Sequence, residues 1–207
     1  MKIVPGLAGA AVAAGLATTG AQAAERLVLE PYPAATPWKP VTDKTVGARF
    51  IREFIPGDET PEAYKDILSA HGLGPLNAQT PSQLIQVGFE RMARRCEHVT
   101  VNGPVARQEG GYAVAYGEVN CSREIGQPHG LRVYYKIIQG DDGWYEINRD
   151  LRVPASDTAG IVEFDKGHEA EATAFMARTA AADSYMAKSV YLCGARSTDP
   201  RCGPAAK

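Results

Sequence analysis

The sequence lacks the short motifs that mark the commonest enzyme classes. It contains no G-x-S-x-G around a serine, no H-E-x-x-H, no G-x-G-x-x-G and no phosphate-binding loop. Each of these patterns places a nucleophile, a zinc ion or a nucleotide on a defined turn or helix, so their absence removes the most direct indications of a hydrolase, a zinc protease or a nucleotide-binding enzyme. A non-catalytic function is favoured, and neither a cofactor nor a metal ion is predicted.

Long apolar runs and an excess of one charge are also missing. After residue 23, no stretch approaches the roughly 20 apolar residues that a membrane-spanning helix needs. The 22 basic and 24 acidic residues nearly balance, at a formal net charge of −2. Such a balance provides no attraction for nucleic acid or for anionic lipid. We therefore expect no nucleic-acid partner and no integral membrane anchor, which leaves a small ligand or an envelope protein as the partner.

The first 23 residues have the pattern of a secretory signal peptide. Lys2 precedes an alanine-rich apolar run, and Ala21-Gln22-Ala23 forms a small-x-small cleavage site. The run is short for a membrane span, and no cysteine lies beside the cleavage site to carry a lipid. We expect cleavage after Ala23 and release of residues 24–207 into the periplasm or the medium as one domain.

All four cysteines lie in the part of the chain that is expected to be exported, where disulfides persist. They are Cys96, Cys121, Cys193 and Cys202. Zinc sites built from four cysteines usually contain C-x-x-C pairs, and this chain has none, so two disulfides are favoured over a metal site. Three connectivities are possible, and closeness in sequence favours Cys96 with Cys121 and Cys193 with Cys202.

The central region, residues 81–150, predicts one helix followed by an antiparallel meander. Thr80, Pro81 and Gln83 form a capping box with proline at the first helical position, and apolar residues at helical spacing continue to Cys96. Four segments with an alternating pattern then predict strands. These are His98–Gln108, Tyr112–Cys121, Leu131–Ile138 and Trp144–Asp150.

The last two of these strands predict a hairpin around the turn residues 140–143. Pairing Ile138 with Trp144 places Lys136 opposite Glu146, which is a favourable charge pair. The same register pairs a second set of opposite charges, Arg132 and Asp150. A slip of one residue would place Glu146 against an isoleucine and is the less favourable register.

The remaining segments predict helices on the sheet and an extended N-terminal arm. In chain order we predict an edge strand at Arg26–Glu30, a proline-rich arm at residues 31–40 anchored by Trp38, a strand at Val46–Ile55, a helix from Pro61 to His71, a short strand at Ile161–Phe164 and a long helix from residue 166 to about Leu192. The tail, residues 193–207, is expected to fold back over that helix through the second disulfide.

One face of the predicted hairpin combines aromatic, apolar and basic groups, as binding surfaces do. Its residues are Trp144, Tyr134, Ile138, Lys136 and Arg132. The alternative is that the C-terminal helix covers this face and buries its aromatic side chains. His129, in the loop before the hairpin, is a further candidate for ligand binding. His129 and Asp142 are also the candidates for acid–base chemistry, because both lie in loops at strand ends.

Four segments of the central region form a recognisable set. They are Arg52–Thr60, the helix ending in Cys96, Gly111-Tyr112 leading to Cys121, and Lys136–Gly140 before Trp144-Tyr145. Over about residues 46–150, they resemble a family of exported, uncharacterised proteobacterial proteins. Where that family has tryptophan soon after the first segment, this chain has Tyr64. The resemblance implies export and a shared fold, and it implies no site residue. A more distant similarity, to the Mog1/PsbP-like sandwich, bears on architecture only.

The pattern as a whole predicts an α+β fold. We expect a single antiparallel sheet of about five to seven strands with helices packed on it, in a Mog1/PsbP-like sandwich, and the alternative is an NTF2-like cone around a pocket. The predicted function is that of an exported soluble envelope protein acting as a non-catalytic binding or interaction module. The alternative is a small periplasmic hydrolase or isomerase with an acid–base residue in a strand-end loop.

Overall fold

The computed structural model describes residues 25–32, 37–75, 79–158, 160, 162, 164 and 166–203. The expected signal peptide at residues 1–23 lies outside this range. So do residues 33–36 of the proline-rich arm and residues 204–207 of the tail.

The described residues form nine strands and two α-helices in an α+β arrangement. The elements are β1 (Arg26–Leu29), β2 (Trp38–Val46), β3 (Arg49–Pro56), β4 (Asp66–Gly74), α1 (Pro81–Ala93), β5 (Val99–Glu109), β6 (Tyr112–Cys121), β7 (His129–Gln139), β8 (Trp144–Pro154), α2 (Glu169–Lys188) and β9 (Val190–Cys193), followed by a 3-10 turn at Pro200–Cys202.

Seven of the strands form one antiparallel sheet in the order β2-β3-β4-β8-β7-β6-β5. The predicted meander of β5 to β8 makes up one half of this sheet, and the other half is the meander of β2 to β4. Strands β1 and β9 pair with each other in a separate two-stranded sheet. The predicted antiparallel sheet with helices is therefore confirmed.

Helix α1 begins as the sequence predicts. The Gln83 backbone N–H donates to the Thr80 hydroxyl, and the Thr80 backbone N–H donates to the Gln83 side chain at 2.8 Å, which completes the capping box. The buried face of α1 contains Ile85 and Phe89, which pack on the β5–β7 half of the sheet. A Cβ atom on Gly117 of β6 would lie 2.6 Å from Ile85, so glycine at this position allows the helix to approach the sheet closely.

Helix α2 packs on the opposite face of the sheet. Its buried residues are Phe175, Ala182, Tyr185 and Met186. They join a core formed by the side chains of β4, β6, β7 and β8 that point away from α1. The sheet thus lies between two helical layers, each with its own apolar core.

Both predicted disulfides are present. The Cys96 and Cys121 Cα atoms are 5.6 Å apart, and those of Cys193 and Cys202 are 5.4 Å apart, within the range that a disulfide requires. The first disulfide joins the end of α1 to the end of β6. The second ties the tail to β9.

The predicted helix from Pro61 to His71 is wrong, because this segment contributes strand β4. Only a turn follows Thr60, where the Ala63 backbone N–H donates to the Thr60 carbonyl at 3.1 Å. Strand β4 lies between β3 and β8 and is largely buried, so its sequence does not alternate between apolar and polar residues. A short apolar run of this kind fits a buried strand and a short helix equally well. The segment forms a strand because it pairs with β3 on one side and with β8 on the other.

The predicted hairpin register is also wrong. Trp144 pairs with Gln139, so that Lys136 lies opposite Ile147 and Glu146 lies opposite Ile137. Glu25 supplies the physical reason, because its carboxylate accepts hydrogen bonds at the hairpin tip. The donors are the Asp141 and Asp142 backbone N–H groups, at 2.7 and 3.2 Å, and the Tyr145 hydroxyl, at 3.1 Å. The turn closes with the Gly140 N–H donating to the Gly143 carbonyl.

Two further boundaries differ from prediction. Helix α2 ends at Lys188 and not near Leu192, because residues 190–193 form β9 and pair with β1. The predicted strand Val46–Ile55 corresponds to β3, and Val46 itself ends β2. Within the predicted strand Ile161–Phe164, Val162 and Phe164 are not in a strand, and the other two residues lie outside the described range.

Candidate functional site

The predicted ligand-binding residues of the hairpin divide between the two faces of the sheet. The observed register places Arg132, Tyr134 and Lys136 on the face that α2 covers. Trp144 lies on the other face, where it is buried in the α1 core. The five predicted hairpin residues therefore do not form one surface.

Lys136 is fully buried and caps the end of α2. Its ammonium group donates to the Glu109 carboxylate at 2.8 Å and to the Met186 and Val190 carbonyls at 2.9 and 2.7 Å. Burial lowers the pKa of Lys136, and the hydrogen bond to Glu109 opposes this shift. All three N–H donors of the ammonium have protein acceptors, and the positive charge lies at the negative end of the helix dipole.

The other predicted residues have local partners. Arg132 donates to the Glu118 carboxylate at 2.5 Å. His129 Nε2 lies 3.5 Å from the Glu124 carboxylate, and burial, together with the charge of Arg152, lowers the pKa of His129. Asp142 is an exposed residue of the hairpin tip, where its backbone N–H donates to Glu25.

An aromatic pocket lies where the N-terminal arm crosses the sheet on the α2 side. We call this cavity of about 410 Å³ the arm pocket. It is lined by Leu29, Glu30, Pro31, Tyr32, Pro37, Trp38, Phe54, Leu68 and Tyr185. The Tyr32 ring centre is 4.9 Å from that of Trp38 and 5.0 Å from that of Tyr185. The volume and the mainly apolar lining are typical of small-molecule sites.

The sequence explains how the arm forms this wall. Proline at positions 31 and 37 keeps the chain extended on both sides of residues 33–36. The Gly57 N–H donates to the Pro37 carbonyl at 2.9 Å, and Trp38 then begins β2. The Tyr185 hydroxyl of α2 donates to the Glu30 carbonyl at 2.8 Å. Trp38 thus acts as the anchor of the arm.

A buried ion pair lies beside the arm pocket. Arg149 of β8 donates through Nε to the Asp66 carboxylate at 2.9 Å, and its Nη2 contacts the second carboxylate oxygen. The Arg149 guanidinium lies 4.1 Å from the Tyr32 ring centre and 5.3 Å from the Trp38 ring centre. Burial alone would lower the pKa of Arg149, but the hydrogen bond and charge of Asp66 raise it on balance. The guanidinium supports two aromatic walls of the pocket through cation–π contacts.

Two donors near the arm pocket have no acceptor among the described residues. They are Nε1 of Trp38 and Nη1 of Arg149, and both atoms are buried. A buried donor without a partner costs about 1–3 kcal/mol. The aromatic and mainly apolar lining of the pocket suits a ligand with a flat apolar body.

A separate group of charges surrounds Asp150 on the α1 side of β8. Burial raises the pKa of Asp150 to about 7, with Arg95 opposing this shift and the negative charges of Asp66, Glu124 and Glu146 adding to it. The Arg95 side chain forms an ion pair with Glu124. Asp150 is thus a partly buried carboxyl group that changes charge near neutral pH.

Asp150 is expected to make the protein less stable as pH rises. Its folded-state pKa lies above the unfolded-state value, so the folded state binds more protons between about pH 4 and pH 7, and the free energy of unfolding falls across that interval. Replacing Asp150 by Asn should remove this dependence, and the variant should be more stable than the wild type at pH 8 by roughly 1–3 kcal/mol.

Urea unfolding at pH 5 and pH 8 measures this difference. The variant Asp58→Asn, at an exposed turn residue, is the control. An Asp150→Asn protein that loses as much stability between these pH values as the wild type would show that another group is responsible.

Sequence reasoning missed the buried ion pair of Arg149 and Asp66. The sequence predicts a helix around Asp66, so it predicts no partner for Arg149. Trp38 is the predicted anchor of the arm, but the pocket that it forms with Tyr32 depends on Tyr185, more than 140 residues away.

Neither a scan against protein-family models nor a search of curated proteins finds a match. Within the described ranges, no helix is long and apolar enough to cross a membrane. No group of three or more His, Cys, Asp or Glu residues in that part of the chain is arranged to hold a metal ion.

Proposed function

We propose that this protein is an exported envelope protein that binds a small ligand in the arm pocket without chemical conversion. The single observation that carries the proposal is the pocket itself, with three aromatic rings in contact. The α2 core and the second disulfide, which ties the tail to β9, brace the elements around it.

The ligand class follows from the pocket walls. Tyr32, Trp38 and Phe54 offer flat apolar surfaces. An aromatic ring can stack on these walls, and a carboxylate on that ring keeps the probe soluble. We therefore choose 4-hydroxybenzoate as the first probe and cyclohexanecarboxylate as its non-aromatic counterpart.

Trp38 offers a direct readout, because the sequence contains only two tryptophans. The variant Trp144→Phe removes the tryptophan on the opposite face and leaves Trp38 as the sole indole. We expect 4-hydroxybenzoate to change its fluorescence with a Kd of about 1 mM or tighter. In calorimetry, Trp38→Leu should weaken binding about tenfold or more, while Trp144→Phe should bind like the wild type.

Two results would overturn the proposal. One is the absence of binding by either probe at 10 mM. The other is equal binding by the wild type and Trp38→Leu.

The second candidate function is a hydrolase or isomerase, and the charge group around Asp150 favours it. A carboxyl group that titrates near neutral pH suits general acid–base catalysis. His129 and Asp142, the acid–base residues expected from sequence, do not line the arm pocket. Hydrolysis of p-nitrophenyl acetate by the wild type, lost in Asp150→Asn and retained in Trp38→Leu, would favour this function over the first.

Export and family membership are part of the same proposal. The N-terminal pattern and the two disulfides support cleavage after Ala23, and a secreted product beginning at Ala24 in N-terminal sequencing is the test. A sheet between α1 and α2 supports a Mog1/PsbP-like sandwich over an NTF2-like cone, and it agrees with membership in the exported proteobacterial family.

A further inference from the structure

A second cavity, independent of the arm pocket, lies between the end of β8 and α2. It has a volume of about 500 Å³, and we call it the basic cavity. Its lining includes three cationic side chains, Lys65, Arg152 and Arg178, and one carboxylate, Glu171. Glu171 lies 3.2 Å from Nδ1 of His168, so it already has a neighbour of its own. The cavity therefore carries a clear excess of positive charge.

Arg152 is held in a fixed orientation. Its Nη1 donates to the Tyr64 carbonyl at 3.0 Å, and its guanidinium lies 3.9 Å from the centre of the Tyr64 ring. Its Nε is buried and has no acceptor in the described part of the chain. A guanidinium that is already oriented loses little freedom when an anion binds to its remaining N–H groups.

Arg178 of α2 lies on the other side of the cavity and resembles Arg152 in one respect. Its Nε is also buried and without an acceptor among the residues that the structure describes. Neither Arg178 nor Lys65 forms an ion pair with a described residue, whereas Arg123, Arg132, Arg149 and Arg196 all do. Two guanidinium groups and an exposed ammonium thus line the same cavity.

We propose that the basic cavity binds the phosphate group of a phosphate monoester. Arginine side chains match the geometry of phosphate oxygens, and Lys65 adds a third charge. The apolar part of the lining, Val153, Pro154 and Phe164, leaves room for the organic portion of the ligand. The same phosphate chemistry occurs in a soluble monoester and in a lipid headgroup, and the experiment separates these sources.

The probe is phenyl phosphate, titrated by calorimetry at low ionic strength, where charge interactions are least screened. We expect a Kd of about 1 mM or tighter for the wild type. Arg178→Gln and Lys65→Gln should each weaken binding about fivefold or more. The control is Arg107→Gln, because Arg107 stacks on Tyr116 on another part of the surface, and this variant should bind like the wild type.

Lys65→Gln keeps the test valid if Arg178→Gln does not fold, because Lys65 is exposed. Cosedimentation with vesicles containing phosphatidic acid, whose headgroup is a phosphate monoester, provides the second arm. Binding to both vesicles and phenyl phosphate, lost in Lys65→Gln, assigns a lipid headgroup, and binding to phenyl phosphate alone assigns a soluble ligand. Either result supports the site.

Two outcomes overturn the proposal. The first is no binding of phenyl phosphate by the wild type at 10 mM. The second is an equal loss in Arg107→Gln, which would indicate unspecific attraction.

Discussion

Replacing Asp66 by Ala is expected to lower the free energy of unfolding by about 3–5 kcal/mol. The Asp66 and Arg149 side chains are 4% and 1% exposed, so the change leaves a guanidinium charge buried without its carboxylate. The same change removes the hydrogen bonds that hold Arg149 against Tyr32 and Trp38. Urea unfolding followed by circular dichroism measures the loss.

A surface ion pair provides the matched control. Asp43 lies 3.5 Å from Arg52, with both side chains well exposed, and Asp43→Ala should cost less than about 1 kcal/mol. The double variant Asp66→Leu/Arg149→Met replaces the buried pair by apolar groups and should recover at least half of the loss. A cost below about 1 kcal/mol for Asp66→Ala would mean that water reaches Arg149.

Replacing Cys121 by Ser is expected to cost about 2–4 kcal/mol. The Cys96–Cys121 disulfide closes a 25-residue separation, and both cysteines are buried in the α1 core. The chain-entropy argument gives about 3.5 kcal/mol for this loop and about 2.7 kcal/mol for the Cys193–Cys202 loop. Cys202→Ser should therefore cost less, because its loop is shorter and lies near the end of the chain.

Unfolding without reductant measures both variants, and peptide mapping of the unreduced wild type checks the pairing. Cross-links between Cys96 or Cys121 and the C-terminal pair would contradict it. So would a Cys202→Ser protein that is less stable than Cys121→Ser.

Features that depend on neighbouring residues could be predicted from the sequence. The start of α1 follows from Thr80, Pro81 and Gln83, whose interactions span one helical turn. Strands β6 and β7 follow from alternation, since side chains of successive residues point to opposite faces. The disulfides follow from sequence distance, because a short loop is the least costly to close.

Features that depend on residues far apart in the sequence could not be predicted from it. The hairpin register is fixed at its tip by Glu25, which precedes that tip by 116 residues. The predicted partners of Lys136 and Arg132 were therefore wrong, and the observed carboxylates are Glu109 and Glu118 on the neighbouring strands β5 and β6. A one-residue change in register moved the side chains of β8 to the opposite face relative to those of β7, which divided the predicted binding surface.

The pairing of β1 with β9 brings the two ends of the described chain together. Leu27, which is buried, pairs with Leu192, so the N-terminal strand has no strand partner until nearly the whole chain has been synthesised. Nascent chains emerge at about 5–20 residues per second, so this interval lasts on the order of ten seconds or more. The two-stranded sheet is therefore among the last parts of the described fold to form, because its second strand lies near the end of the chain.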